Sequence, residues 1–236
     1  MPKIMKMTAV AEDTNHATYR WRLPYGFVAN FGGKSFRLDD PNIRGRWLRS
    51  LDDSSPNLWV MPKQQHGSLV LRDFKVTNHL ENFCDGFAAT DRSLGLAVFG
   101  SDCPGLVLVS PNSFAIAHCG WRGIVAGIVK SAVNAICLDE RSDIGTLAAF
   151  VGPGICRNCY EVGSEVMAAK RWPETAKTTI DERIFLDIPL SIALELRGLG
   201  VKHITQCGVC TSCDPDLHSY RKQGPGVVQV MAVHAA

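Results

Sequence analysis

The sequence predicts a single α+β domain. Strand-like apolar runs occur in both halves of the chain, two helical patterns fail to alternate regularly with them, and no repeat or linker divides the 236 residues. A doubly wound sheet would need regular strand–helix alternation and fits less well. The domain is read as residues 1–236, with 1–56 as its atypical N-terminal part.

That first part has turn signals at Phe31-Gly32-Gly33-Lys34 and Asp52-Asp53-Ser54-Ser55-Pro56 and little other pattern. Strands are expected at 57–61, 68–72, 94–99, 105–110 and 114–118. Runs such as 94–99 and 105–110 are almost wholly apolar, which suits strands covered on both faces. Residues 122–137 read as one helix, because Ile124, Val125, Ile128, Val129, Ala132, Val133 and Ile136 recur at helical spacing. A second helix is expected from an Asp187 N-cap to a stop at Gly200. Further strands are expected near 146–152, 202–207 and 227–233.

Composition excludes several function classes. Hydrophobic residues make up 46% and charged residues 20%, as in ordinary globular proteins. A formal charge of +2 without a basic run argues against a nucleic-acid partner or an acidic membrane. The N-terminal stretch Thr8-Ala9-Val10-Ala11 is cut off by Glu12-Asp13, too short for a secretion signal, and no run reaches membrane-spanning length. A cytoplasmic location is the expectation. Nine cysteines, an odd number, are then expected as thiols or metal ligands.

Three segments carry chemistry: Lys63-Gln64-Gln65-His66-Gly67, Gly100-Ser101-Asp102-Cys103-Pro104 and Ala117-His118-Cys119-Gly120-Trp121-Arg122-Gly123. Each sets a metal-competent side chain at or near a strand end, where a rigid scaffold can aim it. His66, Cys103 and His118 together suit Zn²⁺ with an open fourth position. The same donors accept copper. Hydrogen-bonded histidines around a core thiol would explain the same residues without a metal, and spacing alone leaves both readings open. Gly120-Trp121-Arg122-Gly123 opens a helix, which would aim backbone N–H groups at an anion. Arg122 can add a bidentate guanidinium, Trp121 can stack on a planar ring, and Arg221 lies in a second anion-competent segment, His218-Ser219-Tyr220-Arg221-Lys222.

At these residues the sequence resembles the YfiH-like family, also called the laccase-domain or multicopper polyphenol oxidase family, over roughly residues 57–236. The motifs are Gln64-Gln65-His66-Gly67, Asp102-Cys103, His118-Cys119-Gly120-Trp121-Arg122-Gly123, Gly152-Pro153-Gly154-Ile155, Cys159-Tyr160-Glu161-Val162-Gly163 and Cys210-Thr211 followed by His218-Ser219-Tyr220-Arg221. The resemblance implies an α+β single domain with zinc on His66, Cys103 and His118. It implies small-molecule substrates: phosphorolysis of adenosine, inosine and methylthioadenosine, deamination of adenosine, and a link to peptidoglycan editing. On that footing Asp102, Cys103 and Arg122 are the catalytic candidates, with Asp102 a proton carrier or an orienting group. Gln64, Trp121, Arg122 and Arg221 are the candidates for holding substrate and phosphate.

The chain departs from the family pattern at Asn30 and Val227, where arginines are expected, and this bears on phosphate binding. Seven histidines with no His-x-His pair argue against a multicopper oxidase, although a copper-dependent polyphenol oxidase is one alternative. Others are a metal-independent hydrolase or deamidase built on Cys103 and His118, and a non-catalytic metal-binding protein. Cys156-x-x-Cys159 and Cys207-x-x-Cys210-x-x-Cys213 have the spacing of structural zinc or iron–sulfur ligands. Because Cys159 and Cys210 already belong to the family's motifs, separate thiols are the expectation and a second metal the alternative.

Overall fold

The computed structural model describes residues 19–32, 48, 56–72, 74, 83–137 and 143–236, and the backbone of 3–4, 8–9 and 18. The expected turns at Gly33-Lys34 and at 52–55 lie outside the described residues. The strands are β1 (Lys3–Ile4), β2 (Thr8–Ala9), β3 (Thr18–Leu23), β4 (Phe27–Gly32), β5 (Leu58–Val60), β6 (Val70–Arg72), β7 (Gly86–Ala89) and β8 (Leu94–Gly100). They continue as β9 (Gly105–Val109), β10 (Phe114–His118), β11 (Ala148–Val151), β12 (Glu161–Val162), β13 (Lys177–Ile180), β14 (Arg183–Leu186), β15 (His203–Gln206) and β16 (Gln229–Ala235). The helices are α1 (Trp121–Ala126), α2 (Ile128–Cys137), α3 (Ser164–Ala169), α4 (Ile188–Gly198) and α5 (Tyr220–Gln223).

A seven-stranded mixed sheet, in the order β1-β15-β11-β9-β10-β7-β6, is the centre of the molecule. Every residue of β9 and β10 is buried, as their unbroken apolar runs predict. Alternation sends Leu106, Leu108, Ala115 and Ala117 to one face, where Ile128, Val129, Ala132 and Ile136 of α2 and Ile192 and Leu196 of α4 cover them. Val107, Val109, Phe114 and Ile116 point the other way, against a six-stranded sheet in the order β2-β3-β4-β16-β8-β5. Trp21, Phe31, Leu96, Val98, Met231 and Val233 complete that inter-sheet core. The layering is therefore sheet on sheet on helices, an α+β arrangement. A small sheet, β12-β14-β13, stands apart from the two large ones.

Two expectations are corrected. Residues 122–137 form two helices, because Gly127 adopts φ +94 and caps α1 with its N–H on the carbonyls of Gly123 and Ile124. The first thirty residues also hold regular structure: β3 and β4 form a hairpin through Leu23↔Phe27, and Tyr19 and Trp21 are buried on one side of it. The second predicted helix stands as read. Asp187 accepts from Leu190 N–H at 2.8 Å, and Gly200, φ +97, follows its end. Among the described residues no helix is long and apolar enough to cross a membrane.

Candidate functional site

The three chemistry-bearing segments meet at one end of the central sheet. His118 is the last residue of β10, Cys103 sits in the turn from β8 to β9, and His66 lies in the loop between β5 and β6. They converge on Gly120. A Cβ built there would lie 3.0 Å from Cys103 Sγ, 3.4 Å from His118 Cε1 and 3.5 Å from His66 Cδ2. The two imidazoles meet edge to face with ring centroids 4.9 Å apart. A glycine at this N-cap is thus what leaves the two imidazoles and the thiol room to face one another.

The residue that organises the group is Asp85, just before β7 and buried. Its Oδ1 accepts from His66 N–H at 2.9 Å and lies 3.2 Å from His118 Nδ1. Its Oδ2 accepts from Gln65 N–H at 3.1 Å and Gly67 N–H at 2.8 Å. One carboxylate therefore pins the loop that carries His66, itself at φ +57, and orients the ring of His118. A proton on Nδ1 toward Asp85 turns Nε2 toward the Cys103 side of the ring, the nitrogen available to a metal. Burial alone would push His118 down, but Asp85 and the Cys103 thiol raise it to about 9. Burial also disfavours the Asp85 charge, yet the His118 ring and the N–H groups of Gly67 and Gln65 hold its carboxyl below the usual range. Sequence reading missed Asp85. Its partners are 18 to 33 residues away, so no local motif marks it.

The remaining candidates surround this group. Asp102, at φ +88, accepts from Thr211 Oγ1 and from Arg221 N–H, both at 2.7 Å. Its carboxylate is thereby engaged in holding α5 against the β8–β9 turn. The Arg221 guanidinium donates to Glu161 O at 2.5 Å and lies 5.0 Å from the Tyr160 ring centroid. Arg122 stacks over Trp121 at 4.3 Å. Tyr160, which the sequence offers only within the Cys159-Tyr160-Glu161-Val162-Gly163 motif and without a role, is pushed up to about 12 by burial and then by the Cys103 charge, with Arg221 opposing. Gln64 uses both ends of its amide on Phe99 of β8, at 2.6 and 2.8 Å, and so anchors its loop to the sheet. Helix α1 is only six residues long, so its dipole offers an anion little. Asn30 lies in β4 with its amide 3.3 Å from His234 Nε2.

The cysteines do not stay separate. Among the described residues the group whose ligand atoms all lie within 4.8 Å of one another is Cys156, Cys159, Cys210 and Cys213. Cys207 is left out, buried in the inter-sheet core.

The model of the multi-copper polyphenol oxidoreductase laccase family matches residues 41–233. The chain belongs to this family. A purine nucleoside phosphorylase of Deinococcus radiodurans is 30% identical over 235 residues, covering 89% of this chain and 88% of its own. One of Streptomyces coelicolor is 36% identical, but the alignment covers only 58% of each chain. An adenosine deaminase from an unknown prokaryotic organism is 30% identical across 66% of each chain. The crystal structure of Bacillus licheniformis YfiH superposes with a TM-score of 0.83 at 21% identity, over 96% of this chain and 98% of that one, which establishes the shared α+β fold. Family membership and fold thus agree with the sequence motifs.

The donor set fits one metal ion better than several. Beyond His66 and His118, the described histidines sit elsewhere: His203 on β15, His218 against Gly224 O at 3.0 Å, and His234 against Ala235 O at 2.7 Å. Two imidazoles and a thiol make a zinc-like set, packed closely against Gly120.

Proposed function

We propose that this chain is a metal-dependent purine nucleoside enzyme that phosphorolyses adenosine, inosine and methylthioadenosine and deaminates adenosine. The observation that carries the reading is the convergence of His66, Cys103 and His118 on Gly120, with Asp85 fixing both histidine-bearing segments. The names of the relatives supply the substrate class. Zinc on those three residues would supply Lewis acidity, lowering the pKa of water and polarising a substrate oxygen.

The chain's own residues do the rest. Asp85 sets the His118 tautomer and keeps the ring in place. Arg122 and Arg221, each lying on an aromatic ring, hold phosphate and balance the charge that develops as it attacks the anomeric carbon. With its pKa pushed up to about 12, Tyr160 stays a neutral phenol at pH 7 and keeps an O–H that can donate to substrate. Trp121 gives a purine ring a flat partner. Asp102 acts as a positioning residue, since Thr211 and Arg221 occupy its carboxylate.

Chromatography of adenosine and inosine incubated with the protein, with and without phosphate, tests this beside a Cys103→Ala variant. Phosphate-dependent release of free base, lost in the variant, is the expected result. Conversion of adenosine to inosine without phosphate would leave the deaminase half alone. No turnover of either nucleoside would overturn the assignment.

One arrangement favours a second reading. Asp85, His118 and Cys103 lie in series, as in a thiol hydrolase whose imidazole is oriented by a carboxylate. That reading requires Cys103 to be alkylated fastest among the nine cysteines in metal-stripped and metal-loaded protein alike. The zinc reading requires metal to protect it.

A further inference from the structure

We propose that Cys156, Cys159, Cys210 and Cys213 form a closed four-thiolate zinc site, separate from the His66–Cys103–His118 centre, that ties together the two segments bearing Tyr160 and Arg221. The proposal does not rest on the nucleoside reading.

Two sequence-distant turns build the site. In the first, Cys159 N–H and Tyr160 N–H both donate to Cys156 O at 3.0 Å, which curls Cys156-x-x-Cys159 into a knuckle. In the second, Asp214 N–H donates to Cys210 O at 3.0 Å and curls Cys210-x-x-Cys213 likewise. The turns are held side by side by Gly154 N–H to Val209 O and Thr211 N–H to Gly154 O, both at 3.3 Å. Across the junction Cys156 N–H points at Cys210 Sγ from 3.2 Å, and Cys159 Sγ lies 3.4 Å from Cys213 Sγ. An N–H aimed at a sulfur is what a thiolate ligand takes to offset its charge.

The dimensions limit the occupant to a single ion. Zinc–thiolate bonds of about 2.3 Å in a tetrahedron set neighbouring sulfurs about 3.8 Å apart. The four sulfurs here all lie within 4.8 Å of one another, room for one ion but not for a cluster that interposes its own iron and sulfide atoms. All four positions are thiols, so no coordination position is left for substrate, and the site is structural. Cys213 is exposed, which gives the ion a route in.

Position shows what the site holds. Tyr160 and Glu161 follow the first knuckle directly, and the second leads through Thr211 to α5 and Arg221. Thr211 Oγ1 and Arg221 N–H meet on Asp102, one residue from Cys103, and the Arg221 guanidinium closes onto Glu161 O. A metal at the knuckles therefore sets the spacing of Tyr160 and Arg221 beside the other centre.

Elemental analysis of protein purified under reducing conditions tests the site, with the other centre removed by Cys103→Ala and His118→Ala together. The double variant should keep one zinc per chain through dialysis, and adding Cys159→Ser and Cys213→Ser should remove it. Cobalt(II) loaded in its place should give the intense visible bands of a tetrahedral tetrathiolate. A double variant with native circular dichroism but no zinc would overturn the proposal. So would iron in place of zinc, or an intact mass four hydrogens short, the mark of two disulfides among these thiols. Should the Ser variants fail to fold, the zinc content and cobalt spectrum of the Cys103→Ala, His118→Ala protein still decide.

Discussion

Gly120 matters for what it lacks. Its backbone, at φ −70, is one that alanine adopts freely, so a Gly120→Ala change puts no strain on the chain. Its new methyl would instead press on Cys103 Sγ at 3.0 Å. We therefore expect Gly120→Ala to leave the urea midpoint nearly unchanged while lowering nucleoside turnover at least tenfold. An equal loss of stability and activity would contradict this. Asp85 belongs to the same scale. Asp85→Asn keeps the shape but cannot accept from three N–H groups and an imidazole at once. Zinc affinity at the His66–Cys103–His118 group should fall about 10- to 100-fold, the usual effect of losing a carboxylate behind a metal-bound histidine. Competition against a chromophoric chelator reads that change. The ligand candidates were legible because histidine and cysteine beside glycine or proline at strand ends stand out. Asp85 was not, since its work is done on backbone amides and one ring far along the chain.

Elements whose signal is local were read well. Strand β10 was expected at 114–118 and lies there, because the apolar run between the turn residues Pro111-Asn112-Ser113 and Gly120 is too short for a helix. The helix start at Asp187 was equally plain from its side chain. The break at Gly127 was not, since the apolar spacing runs on across it: Ile124 and Ile128 share a face of the same core cluster. The break rests on backbone conformation alone, for a Cβ at Gly127 would meet nothing within 4 Å. Gly127→Ala should therefore destabilise by about 1–2 kcal/mol, the penalty of a left-handed non-glycine residue. Chemical denaturation checks it, and no loss would mean that α1 and α2 can join. The β3–β4 hairpin was overlooked although Tyr19-Arg20-Trp21-Arg22-Leu23 alternates in the manner of a half-buried strand. The cysteine turns were visible as spacing, but which turn faces which depends on Gly154 meeting Cys210, a pairing that only the fold supplies.

At the scale of the molecule, stability and chemistry are set in different layers. The inter-sheet core is filled by large side chains such as Phe150 against Trp21, with ring centroids 4.8 Å apart. Phe150→Ala should destabilise by about 3–5 kcal/mol, read by thermal or chemical unfolding, without removing metal from folded protein. The candidate centre lies instead at strand ends and turns, where the sheets fix backbone positions and leave the side chains to converge. Turnover should then follow the metal at that centre more than small changes in the core. The most direct test is nucleoside turnover before and after chelation, followed by return of zinc. Stripped protein should lose turnover and regain it with one equivalent of zinc at the His66–Cys103–His118 group, and a Cys103→Ala variant should not recover. Full turnover of adenosine or inosine by protein stripped of metal at that group would contradict the account.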